Sequence, residues 1–251
     1  MIYTFKYLVT LLLLLHFCLA SAQDDGGRNL RNRRKNPIVK TRIGISPVLG
    51  LYRSNKNHTS GAKPKMAYNF SLKEEIRLDK SNQNFIMIGA EYMFHGVNFN
   101  SYYFYEDSLK LYTTERLKYK YSISIHELDF PIQIKHSFQK ETNSIYSAYI
   151  FAGYCYRWII ESRLKVSDNG NDIVDRYQRL KFKSPAFTPS NSSFLSCGAG
   201  FQKNTALKQN AVYAEIQFRY GLSPFYFTES FAPSAMYINS HFLLITVGIK
   251  I

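Results

Sequence analysis

Four consecutive residues, His126-Glu127-Leu128-Asp129, form the densest cluster of titratable groups around a histidine in the chain. An imidazole beside carboxylates is the raw material of general acid–base catalysis. A working site needs a further group placed by the fold, and no Ser- or Asp-based motif points at this one. It reads instead as a polar patch near a rim. His58, His95, His136 and His241 are scattered along the sequence. Cys155 and Cys197 have no metal-type spacing. Gly198-Ala199-Gly200 follows no strand–helix unit, so it is not a nucleotide loop. Small residues there would admit a bulky neighbour, Tyr149 or Tyr213. The expectation is no catalytic residue, no metal and no cofactor.

A second set of charges is more telling. Glu91, Lys135, Arg157, Glu161, Glu215 and Arg219 each fall on the less apolar parity of an alternating segment. If those parities face a closed interior, the charges must pair, because unpaired buried charges are costly. They are expected to form a structural network that plugs the interior, with no role in transport.

The segments that must position them show the period-2 alternation of β-strands. Eight are apparent: about 39–52, 65–79, from Phe85, a fourth ending in ELDFPIQIKHSF (127–138), 146–161, from Phe194, 211–220, and 241–251. With 20 Tyr and 19 Phe and almost no helix punctuation, the class is all-β. In the fourth strand the apolar parity is odd over 119–125 and even from Leu128. That phase flip predicts a bulge at His126-Glu127, and Pro131, lacking an N–H, requires a bulge or an unpaired position. Parity places Cys155 inward and Cys197 outward, which excludes a disulfide between them.

The connections alternate between short and long. Residues 80–84, 139–144 and 203–210 are short and polar, while 53–64, 96–117, 162–192 and 222–238 are long. An even-stranded up-and-down membrane barrel has this arrangement. Strands of 9 to 16 residues suffice to cross an outer membrane. Aromatics collect at Tyr102–Tyr105, Trp158 and Phe225–Phe227 like interfacial girdles. Lipid is therefore the expected solvent for the apolar parity. The fold expected over residues 39–251 is an eight-stranded antiparallel transmembrane β-barrel.

Residues 1–22 resemble a cleaved secretory signal: Lys6, an apolar run from Leu8 to Ala20, then Ala20-Ser21-Ala22. An uncleaved anchor is the alternative. Residues 23–38 read as a basic, disordered leader. Seven cations lie between residues 28 and 42, among them Lys40 and Arg42, with no acid. An exported chain rarely meets nucleic acid, so no nucleic-acid partner is expected; contact with an anionic surface is the sharper alternative.

Several segments resemble the PorT-like outer-membrane β-barrel family of Bacteroidota. ELDFPIQIKHSF is similar to that family's L-x-x-P-hydrophobic-x-hydrophobic-K strand, AYIFAGYCYRW to the strand after it, SCGAGFQ to its Gly-x-Gly strand and ITVGIKI to its last. The family's usual terminal aromatic is replaced by Ile251. The resemblance implies the fold and the outer membrane of a Gram-negative cell, and no established activity. The expected function is a non-enzymatic barrel for envelope anchoring, adhesion or support of an assembly. Its partners would be outer-membrane lipid and envelope proteins contacted through the 162–192 loop. A small lipid-modifying enzyme or lipid binder is the alternative, and a soluble lipocalin-like barrel with the apolar parity inside is the third.

Overall fold

Alternating apolar and polar residues fold here as a sheet whose two faces meet different solvents. The computed structural model describes residues 39–54, 59–104, 116–139, 145–168, 171–179, 187–188, 193–204, 210–227 and 236–251. The signal and leader segments lie outside the described residues. In chain order the strands are β1 (Val39–Ser54), β2 (Thr59–Pro64), β3 (Ala67–Arg77), β4 (Asn84–Phe104), β5 (Arg116–Ser137), β6 (Tyr146–Asp168), β7 (Asn171–Arg179), β8 (Phe187–Thr188), β9 (Ser193–Asn204), β10 (Ala211–Gly221), β11 (Phe225–Phe227) and β12 (Met236–Lys250).

Eight of them are the staves of a closed antiparallel barrel in the order β1-β3-β4-β5-β6-β9-β10-β12, and β1 pairs with β12 to shut it. Closure leaves no open edge, which is what a sheet needs inside a bilayer. The other four extend it at the end with the longer connections, here called the outer end: β2 pairs β4, β7 pairs β6, β11 pairs β12 and β8 pairs β11. The segments read from sequence as long loops thus carry strand of their own.

Strands β4, β5 and β6 have 21, 22 and 23 residues, whereas β3 and β10 have 11. At about 3.3 Å per residue and the usual tilt, this wall rises roughly 25 Å above its neighbours.

The β10 pattern is strictly alternating: Ala211, Tyr213, Glu215, Gln217 and Arg219 are buried, and Val212, Ala214, Ile216, Phe218 and Tyr220 are exposed. The same holds around the barrel, with Ile45 59%, Ile134 62% and Phe201 71% exposed on the outer surface. A continuous apolar exterior of this size over a polar interior is a lipid-facing surface. The lipocalin-like alternative is thereby overturned, since it requires the opposite polarity.

The bulge predicted at His126-Glu127 lies at that level on the neighbouring strand. His126 pairs with Glu161 and Glu127 with Ile159, so the extra residue is Ile160 of β6. β5 itself keeps one phase: every odd residue from Tyr121 to Ser137 is buried. What changes is the surroundings. Below Glu127 the interior is polar and the outside is lipid. Above it Tyr121, Ile123 and Ile125 point into an apolar interior, while Ser122 and Ser124 face out. The strand leaves the membrane there, and water replaces lipid as its outer solvent. The β4 ladder breaks between Ile88↔Ile132 and Glu91↔Asp129 without a change of register, leaving Pro131 unpaired on that side as its missing N–H requires.

The β3–β4 turn is locked by its own polar groups. Asp79 accepts hydrogen bonds from Gln83 N (3.1 Å), Asn84 N (3.2 Å) and Asn84 Nδ2. Asn82 takes the left-handed conformation (φ 56°), which Asn tolerates, and its Oδ1 accepts from Arg77 (2.9 Å).

Candidate functional site

Inward parity on seven of the eight staves converges buried charges in one lumen. Glu75 of β3 is held by three cations from three other strands: Lys135 Nζ (3.0 Å), Lys250 Nζ (3.0 Å) and Arg42 Nη1 (3.2 Å). Arg42 Nη2 reaches Glu215 (2.7 Å) and the Tyr149 hydroxyl (2.9 Å), and that hydroxyl donates to Glu215 (3.0 Å). Lys73 bridges Glu215 (4.0 Å) to Glu91 (2.8 Å). Arg219 then pairs Glu91 with Asp129, the latter at 2.6 Å. Gln202 accepts from Lys250 (3.0 Å) and Lys135 (3.2 Å), and Gln133 accepts from Lys73 (3.3 Å). An unbroken chain of ion pairs therefore fills the barrel from its inner end to mid-height. In a low-dielectric enclosure such charges persist only when each is paired and hydrogen-bonded.

A second cluster lies above it. Arg157 Nε is 2.9 Å from Glu127, which His95 Nε2 approaches at 3.1 Å, and His95 Nδ1 is 2.8 Å from the Tyr52 hydroxyl. The Arg157 guanidinium lies 3.9 Å from the centre of the Phe194 ring, a cation–π contact. Val97, Ile123, Ile125 and Ile238 close this cluster from above around a cavity of about 10 Å³, room for one water.

Rings slot over glycines to complete the packing. A Cβ on Gly200 would fall 2.6 Å from the Tyr149 ring, and one on Gly248 would fall 2.5 Å from Tyr213. Both aromatic stems are thus laid flat toward the Arg42 guanidinium, which sits 4.0 Å from the Tyr213 centroid.

Of the six charges singled out from sequence, Glu91, Lys135, Arg157, Glu215 and Arg219 are buried in the lumen. Glu161 is not, and corrects the expectation. Ile160 inverts the β6 phase just before it, so Glu161 lies half-buried on the outer wall opposite His126. The His126–Asp129 cluster is also corrected, because strand alternation splits it across the wall. Glu127 and Asp129 are fully buried inside, whereas His126 sits outside with Nδ1 2.5 Å from the Tyr92 hydroxyl. Arg42, the last of the run of cations between residues 28 and 42 and part of the first strand, is a buried stave residue at the centre of the network.

Lys73, Glu75 and Lys250 were legible only as polar-parity residues, and their partners are 18 to 175 positions away. Cys155 is buried and Cys197 exposed, each as a free thiol. Among the described residues no group of three or more His, Cys, Asp or Glu is placed to hold a metal ion.

No protein-family model matches the chain, and no curated protein matches its sequence. Its shape is similar to solved outer-membrane proteins. Against OprG of Pseudomonas aeruginosa the TM-score is 0.53 at 13% identity, covering 85% of this chain and 95% of that one. Neisserial surface protein A gives 0.41 at 10% identity, covering 85% and 96%. The outer membrane protease OmpT of Escherichia coli gives 0.47 at 9%, covering 84% and 95%. The chain is a closed eight-stranded antiparallel barrel of the outer-membrane type, and with its apolar exterior it is an integral outer-membrane protein.

Proposed function

We propose that this barrel is non-enzymatic and serves as an anchor, adhesin or support for an envelope assembly, acting through its outer end, and that it belongs to the PorT-like family its sequence resembles. The observation that carries the reading is the lumenal chain of ion pairs from Glu75 to Asp129. It occupies the space a transport path would need, so function falls to the raised β4–β6 wall and the connections beyond it, including 162–192. The test combines fractionation with reconstitution. A carbonate-resistant band that migrates faster unboiled, without sustained conductance in planar bilayers, is the expected result; large, stable conductance overturns the plug.

A lipid-modifying enzyme is the second reading. It is favoured by one arrangement: His126, Tyr92 and Glu161 lie together on the lipid-side wall. Lipid hydrolysis or acyl transfer by the purified protein, abolished in His126→Ala, would support that reading over the first.

A further inference from the structure

A strap of polar side chains crosses the lumen directly beneath its apolar cap. It starts at Tyr52 of β1, whose hydroxyl is 2.8 Å from His95 Nδ1 on β4. His95 Nε2 is 3.1 Å from Glu127 Oε2 on β5, and Arg157 Nε of β6 approaches the same oxygen at 2.9 Å. Arg157 Nη2 then donates to Ser240 Oγ on β12 (3.4 Å), and β12 pairs with β1. The strap therefore ties the raised β4–β6 wall to the β1–β12 pair. His95 pairs with Ile125, above the level at which β5 leaves the membrane. Over it the cap closes with Val97, Ile123, Ile125 and Ile238.

We propose that His95 is a proton-operated latch: neutral, it locks the raised wall to β1 and β12, and a second proton on its ring releases the outer end. The partners fix the tautomer. Glu127, ion-paired with Arg157, only accepts, so His95 Nε2 carries the proton and Nδ1 accepts from the Tyr52 hydroxyl. A second proton can enter only at Nδ1. It turns the Tyr52 hydroxyl away from its acceptor and sets a second cation on Glu127 Oε2 beside Arg157. One carboxylate oxygen cannot neutralise both.

The surroundings give the sign. Phe242 of β12 packs edge-on against the His95 ring at 4.7 Å, and Phe194 of β9 lies 5.6 Å from Phe242. The titratable and charged groups around the ring are Tyr52, Glu127 and Arg157, with His126 across the wall. Below them stand Asp129 with Arg219, and the Cys155 thiol in the apolar cluster of Phe194 and Phe242. Burial holds His95 below the ordinary histidine range; Glu127 pulls the other way, and Arg157 reinforces the burial. The latched state thus binds fewer protons than an opened one. Its advantage is full above the ordinary histidine value and declines as pH falls from there toward the ring's own.

The latch rests on the closed barrel and not on what the outer end binds, so it can fail without the anchoring reading failing. Amide exchange is followed by mass spectrometry on the barrel in phosphatidylcholine nanodiscs at about pH 7.5 and about pH 5, either side of the ordinary histidine value. Rates are corrected for the intrinsic effect of pH. Residues 50–54 and 238–242 report the latch, and residues 211–220 of β10 are the reference. In wild type the reporting amides are expected to exchange about tenfold or more faster in acid, as one proton linked to opening allows, while the reference holds. His95→Gln offers a donor to Glu127 and an acceptor to Tyr52 without titrating, and is expected to stay slow at both values. His126→Gln, outside the lumen, is expected to respond as wild type does. The unboiled gel shift verifies folding in each case. No acceleration in wild type, the same acceleration in His95→Gln, its loss in His126→Gln, or equal acceleration of the β10 reference overturns the latch. If His95→Gln does not fold, Tyr52→Phe must bring the reporting amides toward their acid rate already at neutral pH, and unchanged rates there overturn the latch as well.

Discussion

Arg219 Nη1 lies 2.6 Å from Asp129 Oδ2, an ion pair that spans the lumen from β10 to β5 between residues 90 positions apart. The same guanidinium also holds Glu91, which Lys73 holds as well at 2.8 Å. Removing it strands Asp129 and leaves Glu91 with Lys73 alone. Arg219→Met is expected to cost about 3–5 kcal/mol, the size of breaking a buried pair by deleting one partner. The shift in the urea midpoint of the barrel folded in vesicles checks this. A double change, Arg219→Met with Asp129→Asn, recovers part of the loss because Asp129 no longer carries an uncompensated charge and Glu91 keeps Lys73.

β5 passes from one solvent to another along its length. Ile132 is 56% exposed on the lipid side, while Ser122 faces out above the membrane. Ile132→Lys is expected to destabilise by about 2–4 kcal/mol, as a cation facing mid-bilayer does. Ser122→Lys is expected to change stability by less than about 0.5 kcal/mol, as exposed surface changes do. Equal costs at the two positions would contradict the change of solvent at His126.

Gly200 is matched to Tyr149. Gly200→Val drives its side chain into the ring and is expected to cost about 1–3 kcal/mol, the usual penalty of overpacking. A Cβ there would also fall 2.7 Å from Ala214 O, so combining it with Tyr149→Ala relieves only the ring part of the clash, and the two costs still add to more than the double variant's. A double-mutant cycle on vesicle-folded protein measures the difference, and simple additivity would refute the contact.

The Asp79 turn is a pH-dependent element outside the spanning segments. Slight burial raises the carboxyl's pKa, but hydrogen bonds from Ser81, Gln83 and Asn84 outweigh it and hold it below the ordinary carboxylate range. A carboxyl depressed in the folded state stabilises above its unfolded pKa, and that contribution is lost as pH falls through the folded value. Amide exchange at Gln83 and Asn84 is therefore expected to be slow at neutral pH and to lose protection below the normal aspartate pKa. Asp79→Asn removes the pH dependence.

Much of the barrel was legible because strands announce themselves locally. In β10 the alternation from Val212 to Tyr220 states two faces outright, and Pro131 states a break in the ladder wherever it lies. The site was less legible, and for reasons particular to each residue. Arg42 ends a run of cations that looks like a solvated leader; only its carboxylate partners, Glu75 on β3 and Glu215 on β10, make it a lumenal residue. Glu161 follows an inserted residue that leaves no mark in its own composition. In 121–125 the apolar residues kept the inward parity, and it was the outside solvent that changed.

The sequence by itself determined the strands, their alternating connections and the existence of one polar and one apolar parity, because a two-residue period depends only on neighbouring residues. Only the tertiary structure decided which parity faces in at each height, that Ile160 rather than β5 takes up the irregularity, and which cation meets which carboxylate. Those are consequences of closing the barrel and placing it across a boundary between lipid and water. Closure brings together side chains such as Lys250 and Glu75, 175 residues apart, whose pairing no local pattern encodes.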